Sequence, residues 1–194
     1  MPGAPIPPTD DALLALARAG DAAAFRSLVE RYEGVVAGVV IGMLGRGDDA
    51  DDVGQEVFIR FHDALHHFRG DAQLGTYLRK IAMNLSFNAL KRRRRFSLRL
   101  LSRDQASAPL PEPPVPAIDI EAVERREVVQ SAVARLSEKL RPVVVLRILD
   151  GLSTNETAAV LQVPSGTVMS RLSRGLAELE QMLEPYMNRG AHGT

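Results

Sequence analysis

Cysteine is absent from this chain, so it can hold neither a disulfide frame nor a cysteine-ligated zinc. That fits a reducing cytoplasm, which is the expected location. No apolar run reaches membrane-spanning length, so no membrane insertion of its own is expected. The N-terminus, MPGAPIPPTD, lacks the basic start and apolar core of a secretory signal and reads as a disordered leader. There is no G-x-x-x-x-G-K-[ST] loop to cradle nucleotide phosphates and no H-E-x-x-H signature. Nor is there a convincing internal repeat, or an alternating segment long enough for a sheet. No catalytic residue and no cofactor are expected, so the chain reads as a non-enzyme.

What remains is helical and charged. The 194 residues suffice for one or two small domains, and a 45% hydrophobic content suffices for a core. Lys and Arg number 24 against 24 Asp and Glu, a formal net charge of zero. The charges are nevertheless segregated. Lys91–Arg95 is an unbroken basic run, followed by Arg99 and Arg103 with no acid between. Asp48, Asp49, Asp51, Asp52 and Glu56 form an acidic block, and acids dominate again from Asp104 to Glu127. Such separation predicts two kinds of partner surface, one basic and one acidic.

Helical periodicity divides the chain. A short helix is expected from Asp10 to Ala19, capped by Asp10 or Asp11. Asp21 is placed to cap a second helix that buries Phe25, Leu28, Val29, Tyr32 and Val36, and Gly45-Arg46-Gly47 ends it. A third, capped within Asp48–Asp51, buries Val53, Val57, Phe61, Ala64, Leu65 and Phe68. Thr76 is the expected cap of a fourth, with Leu78, Ile81, Ala82, Leu85 and Ala89 on its inner face. The Pro-rich stretch Ala106–Ile118 cannot be helix interior and reads as a tether. Helical patterns resume at Glu121–Leu136, Arg141–Asp150 and Thr154–Leu161. The expected architecture is all-α: two small helical domains on a flexible Pro-rich linker. Its divisions are a leader 1–9, a domain 10–96, a linker 97–120, a domain 121–187 and a tail 188–194.

Gly151–Leu179 reads as a helix–turn–helix. Val168, Leu172, Leu176, Leu179 and Leu183 make one apolar stripe, and Pro164 suits the first turn of the second helix. Away from the stripe stand Ser165, Thr167, Ser170, Arg171 and Arg174, groups able to bond phosphates and base edges in a major groove. In the first domain, Asp52, Gln55, Glu56 and Ile59 share one helical face. By itself that face fits a solvated surface as well as an arginine-rich partner. Lys80, Asn84, Phe87, Asn88 and Lys91 lie opposite the apolar side of the fourth helix, and its basic end could grip phosphates. Phe68 and Tyr77 are candidate stacking platforms, core packing being the other role open to Phe68. His62 and His66 stand at i, i+4 beside Asp63 and His67, but no third metal ligand is evident and no metal site is expected.

DDADDVGQEVFIRFHDALHHFRGDAQLGTYLRKIAMNLSFNALKRRRR resembles the promoter-melting domain of bacterial sigma factors. LSEKLRPVVVLRILDGLSTNETAAVLQVPSGTVMSRLSRGLAELEQML resembles their upstream-element-binding domain. Two such blocks with little between them are similar to the extracytoplasmic-function (ECF) group of the sigma-70 family. The resemblance implies a subunit that binds RNA polymerase core, through the β′ clamp coiled coil and the β flap, and directs it to promoter DNA. Asp52, Gln55, Glu56 and Ile59 would face the clamp. His67, Arg69, Asp71, Lys80, Asn84, Asn88, Lys91 and Arg92 would engage the minus-ten element, with one base unstacked into the loop at His67–Leu74. Ser165, Thr167, Ser170, Arg171 and Arg174 would read the minus-35 element. The resemblance also implies an anti-sigma partner. Tyr77 stands where the family usually has tryptophan, and Thr154, Thr157, Met169 and Leu176 also depart from it, which thins positive charge on the reading helix. The alternative is a LuxR-type regulator, with a sensor or dimerisation domain in the first half.

Overall fold

The computed structural model describes residues 7–70, 72–101 and 120–190. Every regular element among them is helical. Asp71 and the parts of the expected leader, linker and tail at 1–6, 102–119 and 191–194 lie outside the described residues. No described helix is long and apolar enough to cross a membrane.

The first bundle holds α1 (Asp10–Arg18), α2 (Ala22–Leu44), α3 (Asp48–Ala64) and α4 (Leu74–Leu101). Local chemistry sets their starts. The cap of α1 is Thr9, whose hydroxyl accepts from Ala12 N, rather than Asp10 or Asp11; those acids occupy the first turn, where the helix dipole favours them. Asp21 caps α2 as expected, accepting from Ala23 N and Ala24 N. Gly47, at φ 132°, precedes α3 without a side-chain cap, and its acids again sit in the first turn. Thr76 is not a cap, because α4 has already begun at Leu74. This helix also runs to Leu101, into the stretch read from sequence as linker. Pro8 and Thr9, read as leader, are tied down: Pro8 O accepts from Arg31 Nη2 at 2.7 Å.

The core of this bundle forms where the apolar stripes of α2, α3 and α4 meet. Leu28, Val36, Val39, Val57, Phe61, Leu78 and Ala82 are each sealed from solvent. Phe61 stacks on Phe25 with centroids 5.7 Å apart, and Phe68 and Tyr77 close over it. Burial and a bond to Asp10 push the Tyr32 phenol up to about 12. Asp10 also pairs with Arg31 at 2.5 Å, so the start of α1 is fastened to α2.

The second bundle holds α5 (Ile120–Arg135), α6 (Arg141–Val144), α7 (Thr154–Leu161) and α8 (Ser165–Gly190). A π-helical turn, Val145–Leu149, continues α6. The stripe on α8 differs from expectation at one position. Val168 and Leu179 are buried, but Leu176 is exposed. Gly175 is the residue turned inward, and an added Cβ there would lie 2.8 Å from Val144 Cγ2.

The two bundles are packed together, and most of the linker expected to tether them lies outside the described residues. α2 lies against α5 and the π-turn, and α4 lies against α7. Gly42 of α2 admits Val145 so closely that a Cβ would sit 2.8 Å from Val145 Cγ1. Arg79 of α4 donates to Asp150 at 2.5 and 3.2 Å, with side chains 15% and 9% exposed. The last turn of α2 carries no basic residue of its own. Its carbonyls instead accept from elsewhere: Ile41 O from Gln130 Nε2 at 3.2 Å, Met43 O from Arg141 Nη1 at 3.0 Å, Leu44 O from Arg93 Nη1 at 2.9 Å.

Candidate functional site

Three surfaces carry the residues singled out from sequence. On α3, Asp52 and Gln55 are exposed, Glu56 is half-buried and holds Arg60 at 2.7 Å, and Ile59 keeps 55% of its surface in water. An exposed isoleucine framed by acids and an amide offers a partner both apolar contact and bonds for cations.

The second surface is the outer side of α4 with the turn before it. Asn84, Asn88, Lys91 and Arg92 are exposed along α4, whereas Lys80 is half-buried. His67 and Arg69 are exposed on the turn, while Asp71 lies outside the described residues. Phe68 and Tyr77 pack on one another at 4.9 Å and against Phe61, so both rings are partly spent on the core. Gly70, at φ 77°, takes the left-handed backbone that this reversal needs.

The basic run is not a bare strip of charge. Asp49 accepts from Arg93 Nε at 2.5 Å and faces Arg92 at 3.5 Å, and Glu138 lies 3.6 Å from Arg94. The Arg93 bond holds the Asp49 carboxyl below the usual carboxylate range. Asn88, Lys91, Arg92, Arg95 and the exposed Phe96 line a recess here. Arg95 closes the basic run singled out from sequence; Phe96 escaped that reading, although an aromatic directly after a basic run was visible there.

The third surface is the helix–turn–helix. Ser153 caps α7 through a reciprocal box with Glu156, whose carboxyl is held low by the bonds from Ser153. Gln162 ends α7 in the left-handed conformation, at φ 55°. Thr167 N and Val168 N then bond back to Pro164 O, starting α8. Ser165 donates to Asn155 Oδ1 at 3.0 Å and so ties the two helices. Asn155, exposed on α7, was also missed, since its link to Ser165 exists only in the folded turn. On α8 Ser170 and Arg174 are exposed, while Ser165, Thr167 and Arg171 are half-buried. Arg174 Nε rests on Ser170 O at 3.2 Å, which leaves its terminal nitrogens free of that bond. Met169 and Leu176 add exposed apolar surface to this helix.

An apolar groove follows the junction of the bundles. Ile41, Val129, Val133 and Leu149 line it, and Arg46, Arg125 and Arg126 stand around it.

Comparison with known proteins assigns both bundles. A profile for Sigma-70 region 2 matches residues 28–96, and one for Sigma-70, region 4, matches residues 126–179. The ECF RNA polymerase sigma-E factor of Escherichia coli (strain K12) is 36% identical over 190 residues, covering 93% of this chain and 97% of that protein. The sigma-E factor of Haemophilus influenzae is 33% identical over 185 residues, covering 92% and 97%. Among solved structures, CnrH in complex with the cytosolic domain of CnrY superposes with a TM-score of 0.65 at 28% identity, covering 91% of this chain and 97% of that one. RpoE in complex with the anti-sigma factor NepR, from Bartonella quintana, shares the fold at a TM-score of 0.65 and 20% identity, covering 82% and 96%. The match of the first bundle to region 2 leaves the LuxR-type reading without support. With both regions present in order and close relatives matched almost end to end, the chain belongs to the ECF group of the sigma-70 family of sigma factors.

Proposed function

We propose that this sigma factor binds RNA polymerase core through the α3 face and the β flap through its second bundle. It acts in the cytoplasm as a non-catalytic specificity subunit. The outer side of α4 and the preceding turn engage the minus-ten element, and the outer side of α8 engages the minus-35 element. Opening the DNA needs no nucleotide hydrolysis; binding of the unpaired strand drives it. The observation that carries this reading is the match of both regions in one chain, together with exposed polar and cationic residues on α4 and α8.

The packed arrangement then has a consequence. Elements named for positions 10 and 35 stand about 25 base pairs apart, or about 85 Å at 3.4 Å per step. Helix α4, with 28 residues, spans only about 42 Å and packs directly on α7. Both elements can be read at once only after the bundles separate, and core polymerase supplies the surfaces that hold them apart. An anti-sigma partner belongs to the same proposal. The groove at Ile41, Val129 and Leu149, with its surrounding arginines, suits an amphipathic helix with acidic flanks.

Transcription from a promoter library with bacterial core polymerase, with and without this protein, tests the reading. Start sites that appear only with the protein, and share two spaced elements, are expected. Silence combined with sequence-specific duplex binding by the protein alone would refute it.

A further inference from the structure

Arg18 closes α1 and reaches away from its own helix. Its Nε donates to Leu65 O at 3.1 Å, and its Nη2 donates to Phe68 O. Both carbonyls belong to the chain reversal at the end of α3, where Phe68 N also bonds back to Ala64 O. A helix end leaves carbonyls without partners, and a cation there also meets the negative end of the dipole. One planar guanidinium serves both oxygens, a fork that a lysine cannot reproduce.

Phe68 is therefore held at two points. Its carbonyl is fixed by Arg18, and its ring lies against Tyr77 at 4.9 Å and Phe61 at 6.4 Å. The exposed His67 and Arg69 flank it directly. Arg18 has a fixed base of its own, because Asp10 fastens the start of α1 to Arg31 and Tyr32 of α2. A strut thus runs from α2 along α1 to the turn that precedes α4.

We propose that Arg18 is a positioning residue for minus-ten recognition. By holding the Leu65 and Phe68 carbonyls it sets the turn, and the Phe68–Tyr77 pair behind it, in the shape that accepts an unstacked base. Arg18 itself touches no DNA. The inference rests on the reading of this turn given under Proposed function.

The test uses full-length protein in holoenzyme with bacterial core, on a promoter recovered from the library. Each minus-ten position is substituted in turn, and open complex is measured by permanganate reactivity. Wild type is expected to show one position where substitution lowers opening by about tenfold or more. Arg18→Ala is expected to reduce that one penalty to within about twofold, to leave the others in place, and to bind core normally. Arg18→Lys, able to serve one carbonyl at a time, falls between. A 2-aminopurine placed at the same position brightens on unstacking with wild type and stays quenched with Arg18→Ala. An unchanged penalty profile in Arg18→Ala overturns the inference. So does an equal loss at every position, which marks a general loss of structure. If Arg18→Ala does not fold, Arg18→Lys decides by the same two patterns. A wild-type profile with no such position refutes the reading of the turn itself, and the inference with it, before any variant is made.

Discussion

Gly42→Ala puts one methyl group into the seam between the bundles. Its carbon would stand 2.8 Å from Val145 Cγ1, 3.0 Å from Cγ2 and 3.5 Å from Leu149 Cδ1. Carbon atoms rest at about 3.5–4.0 Å, so the new methyl is roughly 1 Å too close to Val145. Val145 cannot easily turn aside, being β-branched and fully buried. Overpacking of this kind costs about 1–3 kcal/mol. A glycine-to-alanine change within a helix gains about 1 kcal/mol of helix propensity. Gly42 lies in the last turn of α2, so that gain counts fully in the packed form and less where the turn frays, and it offsets at most about 1 kcal/mol of the cost. The ratio should therefore move towards separation, by up to about 150-fold, while the first bundle itself loses no stability. The absence of cysteine makes the assay clean: Glu33→Cys and Glu178→Cys, both at exposed positions, accept a donor and acceptor dye pair. Energy transfer should fall in the Gly42→Ala protein. Unchanged transfer with a lowered melting temperature would mean that the seam holds and absorbs the strain, and would refute the reasoning.

Asp150→Asn strands Arg79 in a half-closed site; loss of one partner from a buried pair costs about 3–5 kcal/mol, a ceiling here because separation rehydrates the arginine. The same dye pair should report opening, and the double variant Arg79→Leu with Asp150→Leu should open less than Asp150→Asn. Asp49 titrates below its unfolded value, so its stabilising effect is complete above about pH 4 and is lost as pH falls through its lower folded value. Melting temperatures between about pH 5 and pH 2 should accordingly drop less steeply for Asp49→Asn than for wild type. In the helix–turn–helix, Ser153→Ala should cost about 1 kcal/mol in urea unfolding through loss of the cap. At Gln162, valine should cost about 1–2 kcal/mol and glycine should be tolerated, because the backbone there is left-handed.

The sequence disclosed what local rules govern. Stripes of period 3.6 placed the helices, and Asp21 at one end and Gly45 with Gly47 at the other marked both boundaries of α2 correctly. Where two rules competed, the nearer one misled: Asp10 looked like a cap, but Thr9 before it had the extended backbone that a cap requires. The Leu176 stripe position failed because close approach of Val144 calls for a residue without a side chain, and Gly175 supplies it. Pairings across the seam carried no local signal at all. Arg79 and Asp150 are 71 residues apart, and Gly42 reads in sequence as one more small residue in a helix. The basic run showed the same limit. Five adjacent cations suggested an anion nearby, but nothing in the sequence said that Asp49 and Glu138 would stand beside three of them.

The borrowed donors at the end of α2 make separation of the bundles more than a rigid swing. Gln130 and Arg141 leave with the second bundle, so Ile41 and Met43 surrender those bonds to water, and only the Arg93 bond to Leu44 stays within the first bundle. The final turn of α2 should then fray, and with it the short Gly45–Gly47 link that launches α3 and its acidic face. Amide exchange at Gly45, whose N–H bonds to Ile41 O, becomes a local gauge of whether the chain is shut or spread.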